Sequence, residues 1–408
     1  MNPNYYLGID VAKQKVRFEL ADAHGKRLTR GTVSTDRAGL AQLLAALETH
    51  HASPGQTLVL LEATGLLHLP WAEALCAHGW PVLVLNPLLT KRLCAASNAL
   101  RENKTDPLDA HSLAEIGRLH GAELQRFRYR RDPARFGWQR LHTVREQVRR
   151  SLTNLKKCYA GLLDVAFPEL GALVEVHNKS VRRLLATAST PEAIVRQPMR
   201  ALEHAFGSQT DAVLAAARAT LADPALATSS APALQAALEG IERMESQLAA
   251  LDVQLLAGLA RRVDAGQWAL AQTVPGIGTK TATTVLGYLP SDWKNWGGRK
   301  RTAAKLQALC GIDPRVRQSG QWQGQARMSK RGIKALRTAL FQAAFCATIH
   351  DEGMRSYYQR KRAEGKAHKV ALSHLMRIIL RRLVAVLKTE KSYEACYGRK
   401  PDAPNKIT

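Results

Sequence analysis

Residues 5–22 read YYLGIDVAKQKVRFELAD. In YYLGIDVA (5–12), and again in KVRFELAD (15–22), apolar residues recur at every second position. That is the period of a strand with one buried face. A turn at His24-Gly25 leads into KRLTRGTVS (26–34), so the three runs predict a three-stranded meander. Further on, DRAGLAQLLAALETHH (36–51) has helical spacing, and GQTLVLLEATG (55–65) is a short apolar run ending in polar residues, the mark of a buried strand. LHLPWAEALCAHG (67–79) reads as a helix ending at Gly79, WPVLVLNP (80–87) as another buried strand, and residues near 106–120 as a helix. A meander followed by alternating strand and helix predicts an α/β layer over residues 1–125.

Beyond Phe136 the period changes, and the rest of the chain reads as all-α. Leu141, Val144, Val148, Leu152, Leu155, Tyr159 and Leu162 step by three or four, as do Leu234, Leu238, Ile241, Met244, Leu248, Leu251 and Leu255. Two long helices with such seams form either an antiparallel hairpin within one chain or a coiled coil between chains. Residues 171–232 are Ala-rich with Pro and Ser breaks, and helical without a clear period. From Trp268 the chain is helical and basic to about Lys391, ahead of a disordered tail.

The chain has 408 residues and a net charge of +25. The charge is segregated. Residues 1–125 hold 12 basic and 12 acidic side chains, whereas 126–160 hold 11 against 2, 294–338 hold 12 against 1, and 355–400 hold 13 against 3. A neutral domain followed by basic segments points to dedicated polyanion contacts. No apolar stretch reaches the roughly 20 residues of a spanning helix, and the N-terminus lacks the pattern of a signal peptide. Six cysteines with no C-x-x-C pair fit buried thiols in a reducing cytoplasm.

Four acids stand where chemistry is possible. Asp10 ends the strand LGID and Glu62 ends LVLLE, while Asp106 and Asp109 in NKTDPLDAHSLAE (103–115) share one face of a starting helix by their i, i+3 spacing. Carboxylates suit Mg²⁺ or Mn²⁺, and four of them brought together demand a cation. Read singly, each is an ordinary surface acid, and Asp106 and Asp109 suit a helix start capped by Thr105.

Two motifs belong to the basic part. In QTVPGIGTKTATTVLGYL (272–289), Gly276 and Gly278 form a tight turn that lets the backbone approach phosphate, with Lys280 adding charge; the alternative is a plain glycine-rich helix connection. The stretch LCGIDPRVRQSGQWQGQARMSKRG (309–332) reads as a Gly- and Gln-rich loop flanked by Arg315, Arg317, Arg327, Lys330 and Arg331. Ser319 sits inside it. Ser329 is either a second candidate or the N-cap of the next helix. Trp293, Trp296 and Trp322 either stack on bases or pack in a core.

The motifs GIDVAKQKV, LEATG, NKTDPLDAHSLAE, VPGIGTKTA, LCGIDPRVRQSG and MSKRGIKALRTALF, in that order, resemble the DEDD-type transposases of bacterial insertion sequences. That family is related to the Piv-type DNA invertases and the bridge-RNA-guided recombinases. The resemblance implies a RuvC-like, ribonuclease-H-like domain over 1–125 whose metal-binding tetrad matches Asp10, Glu62, Asp106 and Asp109. It implies a coiled-coil dimerisation region over 126–265, and a helical transposase domain with a helix-hairpin-helix element over 266–395, ahead of a tail at 396–408. Ser319 matches the family's nucleophilic serine, with Ser329 as fallback. It further implies Mg²⁺ or Mn²⁺, donor and target DNA, a structured bridge-type RNA, and a homo-oligomer, dimer or tetramer, with no membrane. The sequence reading is thus a DNA recombinase. Its rivals are a RuvC-like junction-resolving endonuclease that uses metal-activated water, and a non-catalytic nucleic-acid-binding protein.

Overall fold

The computed structural model describes residues 3–97, 110–315, 318–319, 322–323 and 327–397, with only the backbone given for Ala96, Ser97, Arg315, Gln318, Ser319, Trp322, Gln323, Arg327 and Ala395. The chain divides into two compact units, Met1–Asp132 and Pro133–Thr408.

In the first unit, β1 (Tyr5–Val11), β2 (Lys15–Asp22) and β3 (Arg27–Ser34) form the expected antiparallel meander. Helix α1 (Arg37–Thr49) then leads to β4 (Thr57–Glu62), and α2 (His68–Ala77) to β5 (Val82–Leu85). β4 runs parallel to β1, and β5 parallel to β4, giving the sheet order β3-β2-β1-β4-β5. Asp36 starts α1 by accepting the N–H of Gly39 at 2.8 Å.

Period-2 alternation sorts the sheet's side chains onto two faces. Leu7, Ile9, Val59 and Leu61 pack with Leu43 and Leu47 of α1 and Trp71 and Leu75 of α2. Tyr6, Leu58 and Leu60 point to the opposite face, with Leu113 and Ile116 of α4 (Ala110–Leu124). Between β5 and α4 lies α3 (Pro87–Ser97), a helix absent from the sequence reading. Its signal was nonetheless present. Asn86 accepts the N–H of Leu88 at 2.9 Å, and Pro87 opens the helix where a missing donor costs nothing.

The second unit is helical. The long α5 (Pro133–Ala166) packs along α11 (Pro224–Ala260). Trp138 Nε1 donates to Leu255 O at 2.9 Å, Arg145 pairs with Asp252 at 2.9 Å, and Lys156 pairs with Glu245 at 2.6 Å, so the two run antiparallel. The seams therefore meet within one chain. One expected seam residue, Val144, is instead exposed, because Trp138, His142 and Arg145 occupy the inward side of that stretch. Between the long helices stand α6 (Leu170–Leu173), α7 (Lys179–Thr187), α8 (Pro191–Val195), α9 (Met199–Phe206) and α10 (Thr210–Arg218). They enclose a core around Phe167, Leu185, Ile194 and Val213, which accounts for the Ala-rich stretch with no single period.

The remaining helices are α12 (Ala265–Gln272), α13 (Thr279–Tyr288), α14 (Arg299–Cys310), α15 (Lys334–His350), α16 (Glu352–Ala363), α17 (His368–Thr389) and α18 (Tyr393–Tyr397). Helix α17 forms their centre, burying Leu372, Leu375, Ile379, Leu383 and Val386. Trp293 belongs to this core, and Trp296 is half-buried with its N–H donated to Asp292 at 3.1 Å. Of the expected tail, Cys396 and Tyr397 close α18, and 398–408 lie outside the described residues. No helix among the described residues is long and apolar enough to cross a membrane.

Candidate active site

Asp10 and Glu62 are brought together by strand register. β1 and β4 pair Ile9 with Leu61, and continuing the parallel register by one residue sets Asp10 beside Glu62. Neighbouring strands lie roughly 4.8 Å apart. Both residues are half-buried, and alternation puts both on the face of Tyr6, Leu58 and Leu60. Across the other edge of β1, the exposed Arg17 of β2 is Asp10's partner in register.

The third element of the expected tetrad is α4, and glycines set its path. A Cβ on Gly8 would run into the carbonyl oxygen of Ala110. One on Gly117 would meet Leu60 and Tyr6, and one on Gly121 would meet Leu58. Helix α4 thus lies on the sheet antiparallel to β1 and β4, with its first turn at the strand ends that carry Asp10 and Glu62. Asp106 and Asp109 themselves lie outside the described residues, and Asp109 directly precedes Ala110 in the chain. Among the described residues no three His, Cys, Asp or Glu side chains form a group able to hold a metal ion. The two carboxylates present supply only oxygen donors, which fits Mg²⁺ or Mn²⁺ rather than a softer ion.

Three residues around this site were not singled out in the sequence. Gly8 permits the close helix. Thr90 on α3 is fully buried and its hydroxyl lies 3.0 Å from Glu62 Oε2, within reach of donating its proton to the carboxylate. Glu19 on β2 is buried under α4. Period-2 counting from Asp10 reaches Gly8, and pairing across the turn reaches Glu19, but neither position looks chemical on its own.

In the second unit the turn at 273–278 joins α12 to α13. Gly276 has φ +83°, and a Cβ there would strike the carbonyl oxygen of Ala343 on α15. Its first duty is therefore close packing. Gly278 differs: it is the extended N-cap of α13, nothing crowds it, and no side chain caps the helix. Lys280, in the first turn, is exposed. The start of α13 therefore offers backbone donors together with a cation.

The stretch read as a loop contains short antiparallel ladders. β6 (Pro314–Arg315) pairs with β9 (Arg327–Met328), and β7 (Gln318–Ser319) with β8 (Trp322–Gln323). The sequence hid this hairpin because two-residue ladders leave no periodicity to count. Ser319 pairs with Trp322 at its far end. Arg315 and Arg327 pair with each other nearer the base, and Arg317 lies outside the described residues. Lys330 and Arg331 are exposed beyond the base.

Ser329 is not an N-cap, since the N-cap of α15 is Ile333, four residues later, and no side chain caps that helix. Instead its hydroxyl donates to Asp313 Oδ1 and its N–H to Asp313 O at 3.0 Å, closing the base of the hairpin. Lys330, at φ +55°, donates its N–H to Gly311 O at 3.0 Å. Nearby Cys310 is no rival nucleophile, because burial pushes its thiol up to about 12.

The DEDD-type IS110 transposase model matches residues 7–168, and the model of the IS116/IS110/IS902 transposase family matches residues 269–359. The chain is 26% identical over 409 residues to an uncharacterized 42 kDa protein of insertion element IS900 from Mycobacterium paratuberculosis, covering 95% of this chain and 96% of the relative. It is 23% identical over 392 residues to the pilin gene-inverting protein of Moraxella lacunata, covering 95% and 97%. An uncharacterized 43.6 kDa protein of IS110 from Streptomyces coelicolor is 32% identical over 123 residues, 30% of this chain and 29% of that one.

Proposed function

Because the chain belongs to the IS110/IS116 transposases, we propose that it breaks and rejoins DNA strands of a mobile element, using an acidic tetrad and a serine nucleophile. The observation that carries the reading is the parallel register setting Asp10 beside Glu62, with the first turn of α4 at the same strand ends. Asp106 and Asp109, just ahead of that helix in the chain, complete the tetrad in this reading. The sheet order, with its meander followed by parallel strands, supports a ribonuclease-H-like domain.

Asp10, Glu62, Asp106 and Asp109 would hold Mg²⁺ or Mn²⁺, which supplies positive charge to a pentacovalent phosphate. Ser319 is the nucleophile. Its Oγ loses its proton and forms a P–O bond, while a deoxyribose oxygen leaves and takes up a proton. Attack by a deoxyribose hydroxyl on the phosphoserine reverses the exchange. The number of phosphoester bonds is conserved, so rejoining needs no external energy source. The exposed N-terminus of α13 with Lys280 supports a helix-hairpin-helix contact to phosphate, and Arg315, Arg317, Arg327, Lys330 and Arg331 serve the same polyanion. The basic segments supply charge for both DNA and a bridge-type RNA. Val144, Val253 and Leu256 leave apolar surface exposed on α5 and α11, which supports a homo-oligomer.

Asp10→Asn, Glu62→Gln and Asp106→Asn test the reading. Each is expected to lower strand exchange by about a thousandfold or more, the kinetic equivalent of several kcal/mol of lost charge stabilisation, with DNA binding changed little. Undiminished recombination by these variants would remove the metal site. Joined product ends separate the recombinase from a resolving nuclease, which leaves free ones.

A further inference from the structure

Two tryptophans of the basic part, left open by the sequence, are unlike in the fold. Trp293, in the turn between α13 and α14, is 5% exposed and belongs to the core. Trp296, in the same turn, only leans on that core and stays half-buried. Its one polar atom is already satisfied, since Nε1 donates to Asp292 Oδ2 at 3.1 Å. What the indole shows to water is therefore apolar ring. Lys305 lies over it, with Nζ 5.6 Å from the ring centroid.

The turn that holds the ring is fastened to its neighbours. Gly297, at φ +108°, accepts at its carbonyl from Thr302 Oγ1 at 2.9 Å and from Lys388 Nζ. Lys294 pairs with Glu390 at 2.9 Å, so the turn is tied to the end of α17. A ring on a fastened turn loses little freedom when a flat ligand settles on it. Around it the charge is one-sided. Residues 290–305 hold Lys294, Arg299, Lys300, Arg301 and Lys305 against Asp292 alone. Arg299, Lys300 and Arg301 are all exposed, and none pairs with a carboxylate among the described residues. An aromatic surface beside unpaired cations matches a nucleotide whose base is out of the stack and whose phosphates run past the ring. A duplex offers its phosphates but keeps its base faces covered. An acidic protein segment would satisfy the cations and leave the ring unused.

We propose that Trp296 stacks on an unpaired base of a single-stranded nucleic acid, DNA or RNA, while Arg299, Lys300 and Arg301 hold its phosphates. Lys305 then leaves the ring, because stacking on a base outweighs an exposed cation–π contact. This rests on the nucleic-acid reading given above and narrows it, at this face, to strands that have been opened.

The test compares the affinity of the full chain for oligo(dT), oligo(U) and an oligo(dT)·oligo(dA) duplex of equal length, by fluorescence anisotropy across a salt series. Trp296→Ala is expected to weaken at least one single strand about tenfold or more, to change duplex binding less than about twofold, and to leave the salt slope as it was. The strand that suffers more identifies the occupant as opened DNA or as RNA. Trp296→Phe keeps a smaller ring and is expected to lose about threefold or less. Arg299→Gln, Lys300→Gln and Arg301→Gln together are expected to flatten the single-strand salt slope by about 0.7 for each phosphate contact removed; an unchanged slope removes their role. Trp296→Ala with single-strand affinity unchanged, or with single strands and duplex weakened alike, overturns the stacking. A parent chain that binds none of the three probes removes the nucleic-acid reading itself. Because Trp296 also leans on the core, the parent carries a second measurement. An iodouracil-bearing single strand, crosslinked by light, is expected to mark Trp296, and crosslinks confined to other segments overturn the proposal whatever the variants do.

Discussion

The end of the sheet in the first unit and the hairpin in the second carry the two halves of the proposed chemistry by opposite means. Asp10 and Glu62 are fixed by the pairing of two inner strands, with buried side chains packed on either face behind them. Ser319 sits on a hairpin of two-residue ladders whose described base is closed by Asp313 and Ser329. Carboxylates that share a cation must be held against their own repulsion, and a sheet interior does this without adjustment. A nucleophile that must meet a phosphate, form a bond to it and give it back is better served by a short arm anchored at its root.

The two serines are the place to break this comparison. Ser319→Ala is expected to abolish the covalent protein–DNA adduct, read as a shifted band after denaturing gel electrophoresis. Ser329→Ala removes a hydrogen bond of about 1 kcal/mol at the base of the hairpin and is expected to keep the adduct, at a reduced rate. An adduct that survives Ser319→Ala and vanishes in Ser329→Ala would transfer the chemistry to the base, with Asp313 as the group that accepts the serine proton.

Two glycines sharpen the comparison next. Gly8 and Gly276 each lie against a backbone carbonyl of a helix, Ala110 in the first unit and Ala343 in the second. Alanine at either site overpacks a close contact and costs about 1–3 kcal/mol. The losses should nevertheless differ in kind. Gly8→Ala pushes the first turn of α4 off the sheet and is expected to lower strand cleavage at least tenfold while DNA affinity holds. Gly276→Ala shifts the turn ahead of α13, with added strain at φ +83°, and is expected to lower DNA affinity. Cleavage kinetics at saturating DNA and a direct binding isotherm for each variant distinguish them. Equal losses in both assays would mean that the two regions are not functionally separate.

The two regions also differed in how far they could be read beforehand. The meander was legible because Leu7, Ile9 and Val11 alternate with Tyr6, Gly8 and Asp10, and a central sheet obeys that period strictly. The tie between Asp10 and Glu62 was not legible, since parallel register depends on packing through the intervening helix. Thr90 was missed with its helix, although Asn86-Pro87 announced it. The hairpin was invisible for want of length. Val144 fell out of its seam because the buried positions there are polar or aromatic. Trp138 stacks on His142, with ring centroids 5.4 Å apart, and a count of aliphatic spacing passes over both.

That same joint gives the smallest expected effect. His142 on α5 meets Tyr288 of α13, with Nδ1 3.2 Å from the hydroxyl, and burial holds its pKa below the usual 6.5. The folded chain therefore keeps the ring neutral where the unfolded chain would protonate it. Stability from this site is complete above the unfolded value and is lost as pH falls below about 6.5 toward the lower folded value, by at most about 1.4 kcal/mol per pH unit. His142→Gln removes the titration and keeps a polar side chain. Its melting temperature should fall less than the parent's between pH 7 and pH 5, and the difference should flatten above pH 7. Parallel pH curves for parent and variant would mean that the α5–α13 contact admits a charged imidazole, and that the second unit is no more sensitive to acid there than at its surface.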